Sequence, residues 1–304
     1  MVFLKDDKMH FYENIDFLLR LLHTCNLTAL ELNYRKQALA NASGQPGSSI
    51  NCVSDRYYEL AHEIKCFHFL TQYGNISIAE DCRHTAGCDC LLNEKYQIEC
   101  VCSSSGNKSA LTGLEQLCMK NNLDGKLIDY DKKKNILFCR LTNSLDEKLK
   151  FYHKHIKNGT LSKNLPYIVF LGLGSLAYEL FLDDYGIEFT SILYGKGNPT
   201  LFVNLDSGHA LGNGFSYKRT MLNHNNAEIN CTLFSSAEYR SISGIIISDA
   251  TLDEEYTQEN TWFFLNPNAH IKINPEHFHN IIYWDKYNET EYGPYLNGEK
   301  LGNT

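Results

Sequence analysis

Two carboxylates, Asp89 and Glu99, are spaced so that they could bind one divalent cation together. They lie on either side of the segment 93–95, Asn-Glu-Lys, which is typical of a turn between two strands. A three-residue loop there pairs Leu92 with Tyr96, and the same register places Asp89 opposite Glu99. Neighbouring carboxylates repel each other at neutral pH unless a cation lies between them. The spacing therefore predicts a divalent cation bound between these two residues.

A glutamate-bearing helix is predicted to precede this hairpin. From about residue 55 to 73, apolar residues such as Leu60 and Ile64 recur at helical spacing. Glu59 and Glu63 are four residues apart, so they share a helix face beside this apolar stripe. Either glutamate could assist the two carboxylates of the hairpin.

The helix and hairpin together resemble the PD-(D/E)xK nucleases. The resemblance runs from Glu59 to Val101: a helix carrying a glutamate, a strand with Asp89, nine intervening residues, and then Glu99 near the end of the next strand. It implies an α/β fold with a mixed central β-sheet flanked by helices, built on a restriction-endonuclease-like core. It also implies that Asp89 and Glu99 hold Mg²⁺ or Mn²⁺, that Glu63 or Glu59 assists, and that the reaction is phosphodiester hydrolysis, with DNA as the expected substrate.

The chain departs from this family at the position of the motif lysine, which is occupied by Val101. A migrated ammonium group could come from Lys108, beyond the strand, or from Lys65 on the glutamate helix. Without such a group, the resemblance implies a degenerate relative that binds nucleic acid and does not cut it. The alternative function is a non-catalytic scaffold that binds a protein partner.

The chain is predicted to divide into a helical N-terminal extension over residues 1–50, a nuclease-like α/β core over 51–175, and a C-terminal α/β extension over 176–304 that continues the same domain. Beyond the hairpin, the apolar patterns predict helices at 109–120, 144–157 and 175–182, and strands at 135–141, 167–174, 242–248 and 261–265.

Charge is unevenly distributed along the 304 residues, whose formal net charge is −8. The net charge is −4 over residues 1–102, +6 over 103–175 and −10 over 176–304. The basic middle segment could contact phosphates or could be a solvated lysine-rich surface. The acidic C-terminal segment favours a protein partner over nucleic acid. No apolar run is long enough to span a membrane and the N-terminus does not read as a signal peptide, so we expect a cytoplasmic protein.

The cysteine-rich hairpin offers a competing interpretation. Soft metal ligands cluster at Cys82, His84, Cys88, Cys90, Cys100 and Cys102. Alternation along the strands places Val101 on the carboxylate face and the four hairpin cysteines on the opposite face, where they are expected to pack as small apolar groups. A structural Zn²⁺ ion is therefore not favoured. Gly172, Gly174 and Ala177 also match the spacing of a dinucleotide-binding turn, although a crowded connection between strand and helix explains these small residues better.

Overall fold

The most apolar segments of the chain pair as the central strands of one mixed β-sheet in a computed structural model of the protein. The structure describes residues 7–43, 55–78, 87–103, 130–173, 185–217, 220–222, 228–248, 250–251, 253–279, 281–290 and 293–300. Its helices are α1 (Asp7–Thr24), α2 (Ala29–Ser43), α3 (Asp55–Leu70), α4 (Tyr130–Lys157) and α5 (Tyr185–Tyr194). Within these ranges, none of the helices is both long and apolar enough to cross a membrane.

The strands form one large sheet and two small ones. They are β1 (Ile76–Ile78), β2 (Cys90–Leu92), β3 (Tyr96–Cys102), β4 (Tyr167–Gly172), β5 (Lys196–Val203), β6 (Ala210–Tyr217), β7 (Thr220–Leu222), β8 (Glu228–Asn230), β9 (Gly244–Ser248), β10 (Thr261–Leu265), β11 (Ile282–Thr290) and β12 (Gly293–Lys300). The large sheet has the order β1-β2-β3-β4-β9-β10-β11-β12, while β5 pairs with β6 and β7 with β8.

Parallel pairing at the centre of the large sheet explains why β4 and β9 are almost entirely apolar. β3, β4 and β9 are parallel, and antiparallel strands flank them on both sides. Parallel strands need crossover connections, whose helices cover the sheet faces and bury the strands on both sides. The six residues of β4 and the five of β9 are all buried. The predicted α/β class with a mixed sheet is confirmed.

Successive side chains of β4 face alternately the two layers of helices that cover the sheet. Val169 and Leu171 pack in one core cluster with residues of α4 and α5, whereas Ile168 and Phe170 pack in another with residues of α3. This is the two-residue period of a strand that is covered on both faces. As a consequence, a side chain on β3 faces either α4 or α3 according to its position in the alternation.

The hairpin between β2 and β3 has the predicted register. Leu92 pairs with Tyr96, and Asn93 and Glu94 take positive φ angles of 52° and 56° in the turn. The Asn93 side chain accepts from the Asn75 backbone N–H at 2.9 Å. A Cβ on Gly74, whose φ is +150°, would lie 2.0 Å from this same side chain, so glycine is required where the chain leaves α3.

The strand predicted at 135–141 is wrong, because these residues belong to α4. Buried residues recur every three or four positions along this helix; they are Phe138, Leu141, Leu145, Leu149 and Tyr152. This spacing makes one apolar stripe that continues into the predicted helix at 144–157, so the two segments fold as a single helix. The helices predicted at 109–120 and 175–182 lie outside the described residues.

Candidate active site

A polar pocket of about 530 Å³ opens between α3 and α4 beside β3. The ladder between β2 and β3 covers only Tyr96–Ile98 of β3, so the second half of the strand extends beyond it. The pocket is lined by Arg56, Glu59, Glu63, Asp89, Cys100, Val101, Cys102, Arg140, Asn143, Ser144, Glu147 and Lys148. Three of the acidic residues singled out from the sequence therefore line one cavity.

The last paired residues of the hairpin place Asp89 beside Glu99. Cys90 pairs with Ile98, so the next position on each strand brings the two carboxyl groups together. An oxygen of Asp89 accepts a hydrogen bond from the backbone N–H of Cys100 at 2.7 Å. This bond uses a β3 donor beyond the ladder and holds Asp89 next to the strand.

Glu99 is a buried carboxylate with one satisfied oxygen. Only 3% of the residue is exposed, and its Oε1 accepts from Lys148 Nζ at 2.5 Å. Its Oε2 is buried and has no hydrogen-bond partner among the described residues. Leaving a polar oxygen buried and unpaired is costly, so this atom indicates a place where a ligand would be stabilised.

The two helix glutamates have different environments. Glu63 pairs with Arg35 of α2, and the side chains of both residues are almost fully buried. Glu59 pairs with Arg56 at 2.8 Å, and about half of each side chain is exposed. Glu63 is therefore the glutamate that belongs to the buried carboxyl cluster, whereas Glu59 lies on the solvent side of the pocket.

Burial raises the pKa values of the three clustered carboxyl groups, and repulsion from Asp89 adds to this effect at Glu63 and Glu99. Burial raises the pKa of Glu99 to about 8, with a further contribution from Asp89, although Lys148 opposes the change. Burial likewise raises the pKa of Glu63 to about 7 against the effect of Arg35. The pKa of Asp89 is raised by burial against its bond from Cys100. Three such groups close together favour an added cation.

Lys148 on α4 supplies an ammonium group that the sequence reasoning missed. Burial disfavours its charged form, but the carboxylate of Glu99 outweighs this effect, and the pKa of Lys148 is raised. Lys65 lies elsewhere, because its Nζ donates to the Thr251 carbonyl at 2.7 Å and contacts the Tyr256 ring. Lys108 lies outside the described residues.

Strand alternation around the site follows the prediction for Val101, Cys90 and Cys100, although Cys100 and Cys102 also line the carboxylate pocket. Val101 packs in the α4-side cluster, on the face that Glu99 shares, and Cys90 and Cys100 pack on the α3 side. Cys88 was expected with these cysteines but packs on the α4 side, because it precedes β2 and is outside the regular alternation. Cys82 and His84 of the alternative zinc site lie outside the described residues.

The donor types and charges of the pocket fit a divalent cation. Hard oxygen ligands are those that Mg²⁺ and Mn²⁺ prefer, and Glu63, Asp89 and Glu99 outnumber the two cations paired with them, Arg35 and Lys148. Such an ion would satisfy Glu99 Oε2, which has no partner among the described residues. Across the described ranges, no three His, Cys, Asp or Glu side chains are already arranged around a common metal position.

Gly172 has a packing role at the end of β4. A Cβ at this position would lie 2.3 Å from Nδ1 of the His62 ring. His62 is fully buried, with Nδ1 at 2.5 Å from the Tyr256 hydroxyl and Nε2 at 2.9 Å from the Phe170 carbonyl. The close approach of the His62 ring therefore explains why position 172, the first glycine of the pattern that resembles a dinucleotide-binding turn, is a glycine. Gly174 and Ala177 lie outside the described residues.

Comparison of the chain with protein-family models, curated proteins and solved structures found no match in any of the three.

Proposed function

We propose that this protein is a metal-dependent phosphodiesterase acting on nucleic acid, with DNA as the expected substrate. One observation carries the proposal: the buried Glu99 has Lys148 on one oxygen, no partner among the described residues on the other, and the carboxyl groups of Asp89 and Glu63 nearby. An acidic cluster combined with a directed ammonium group is what hydrolysis of a phosphate ester requires.

The order of the elements supports a relationship to the PD-(D/E)xK nucleases. The segments α3, β1, β2, β3, α4 and β4 follow one another, with an antiparallel β1-β2-β3 meander and a parallel β3-β4 pair joined across α4. Glu63 lies on the first helix of this series, Asp89 just before β2 and Glu99 within β3. We propose that this segment is a restriction-endonuclease-like core.

Four residues have roles in this proposal: Glu63, Asp89 and Lys148, which line the pocket, and Glu99, which is bonded to Lys148. Asp89 and Glu99 hold the metal ion, and Glu63 completes the acidic set from the helix. When bound, Mg²⁺ or Mn²⁺ neutralises charge that develops on the phosphate. Lys148 orients the attacking water or the phosphate by hydrogen bonding, so an ammonium from α4 replaces the one that Val101 cannot provide.

Binding of nucleic acid without cleavage is the second candidate function. It is favoured by the ion pairs of Glu63 with Arg35 and of Glu99 with Lys148, which already neutralise two of the three carboxyl groups. Carboxyl groups that are already paired with cations are stabilised less by binding a metal ion. The alternative of another class is a non-catalytic scaffold that meets a protein partner through the acidic segment 176–304.

The proposal is tested by cleavage of plasmid DNA, single-stranded DNA and RNA with Mg²⁺ or Mn²⁺. The wild type is compared with an Asp89→Asn, Glu99→Gln double variant, whose amides keep the size of both side chains. Glu228→Gln, at an exposed carboxylate on β8, is the matched control. We expect cleavage by the wild type and the control and none by the double variant. No cleavage by the folded wild type with either metal would leave binding without cleavage as the better account.

A further inference from the structure

A row of lysines continues from the pocket along the exposed face of α4. Lys150, Lys154 and Lys157 are all exposed, and so are Asn143 and Glu147 at the pocket. Their spacing of three or four residues places all five on one narrow face of the helix. The lysine row is thus continuous with the pocket wall.

The charge of α4 is opposite to that of the rest of the protein. The helix carries eight Lys or Arg residues and three Asp or Glu residues, whereas the net charge of the whole chain is −8. Of the acidic residues, Asp131 lies in the first turn, Asp146 accepts a hydrogen bond from Tyr239, and Glu147 lies on the lysine face. Lysines at a helix C-terminus also stabilise the helix dipole, but that effect is confined to the last turn, and Lys150 precedes it.

We infer that this face of α4 binds the phosphodiester backbone of a nucleic-acid strand and directs it into the pocket between α3 and α4. From Lys150 to Lys157 the helix rises about 10 Å, which equals about three nucleotides of one strand of a duplex. Three ammonium groups can therefore neutralise about three successive phosphates on one side of the site. Arg140, which lines the pocket on the same helix, lies at the opposite end of this path.

The identity of the ligand rests on the proposed function, but binding can be measured separately from cleavage. The probe is a fluorescein-labelled 20-nucleotide DNA, single-stranded or as a duplex, and the readout is fluorescence anisotropy between about 50 and 200 mM NaCl, the range in which such contacts are lost. All proteins carry the Asp89→Asn and Glu99→Gln changes, which prevent cutting and remove acidic charge from the pocket. Proteins with and without the Lys150→Gln, Lys154→Gln, Lys157→Gln triple change are compared.

The control carries the same charge change at exposed lysines on other elements, Lys95→Gln, Lys163→Gln and Lys272→Gln. Removing three phosphate contacts should reduce the slope of log affinity against log salt by about 2.7 for duplex and about 2.1 for single-stranded DNA. The control should keep the slope of the background protein. The form of DNA whose slope falls by this amount is the form that follows α4.

Two results would overturn the inference: equal slopes for the α4 triple variant and the control, or no binding of either DNA by the background protein at 50 mM salt, the lower limit of the titration. Loss of the slope in the triple variant combined with no cleavage by the wild type would support the inference and contradict the nuclease proposal. Cleavage by the wild type, combined with an unchanged salt slope in the α4 triple variant, would support the nuclease proposal and contradict binding of nucleic acid along α4.

Discussion

Replacing Glu99 with Gln should remove much of the pH dependence of stability in the metal-free protein. Burial raises the pKa of Glu99 to about 8 in the folded state, against an ordinary value of 4.5. Between these two values the folded protein holds a proton that the unfolded chain has released. The favourable contribution of this group is therefore complete only below pH 4.5 and is lost as the pH rises through 8.

The size of the effect follows from the two pKa values. One pKa unit corresponds to about 1.4 kcal/mol, so ionisation of Glu99 lowers the free energy of unfolding by about 2 kcal/mol between pH 6 and pH 8. Glu63, whose pKa is raised to about 7 by burial, accounts for about 1 kcal/mol more over the same interval. The Gln variant should lose the first contribution and keep the second.

Urea denaturation in EDTA at pH 6, 7 and 8 measures these free energies directly. The wild type and the exposed-site control Glu228→Gln should show the full decrease, and Glu99→Gln a much smaller one. If Glu99→Gln and the wild type lose the same stability between pH 6 and pH 8, Glu99 does not titrate as the buried environment requires.

Three further substitutions test contacts of the site and of its support. Lys148→Met should lower cleavage by about 100-fold or more while the fold persists, and Lys148→Arg should keep part of the activity, as measured by initial rates on plasmid DNA. Arg35→Met removes the cation that favours the ionised form of Glu63 and should cost about 1 kcal/mol of stability in urea denaturation at pH 8, where Glu63 is largely ionised, and less at pH 6; an unchanged midpoint at pH 8 would contradict the buried pair. Gly172→Ala places a methyl group against the His62 ring and should cost about 1–3 kcal/mol by the same assay.

The hairpin could be predicted from the sequence because its information is local. The turn residues, the alternation of β3 and the pairing of Leu92 with Tyr96 all lie within a few positions of one another. Asp89 and Glu99 were found for this reason. Residues 135–141 were assigned to a strand because a short apolar run does not reveal its period, and only its continuation through Leu145 and Leu149 identifies a helix.

Lys148 was missed because its contact with Glu99 joins residues 49 positions apart. One signal was available. The predicted helix at 144–157 has its apolar stripe at Leu145, Leu149 and Tyr152, which leaves Lys148 at the margin of the buried face. Placing it at the end of β3, however, requires the crossover geometry of α4 between β3 and β4. Arg35 was missed for the same reason, because its partner Glu63 lies on a different helix.

Binding of Mn²⁺ at pH 7.5, measured by calorimetry, is the most direct test of the central claim that the carboxyl cluster is a divalent-cation site. Asp89→Asn, Glu99→Gln is compared with the wild type and with Glu228→Gln, and denaturation confirms that all three are folded. We predict one Mn²⁺ site in the wild type and the control and none in the double variant. Equal Mn²⁺ binding by all three proteins, or no binding by the wild type, would contradict the account.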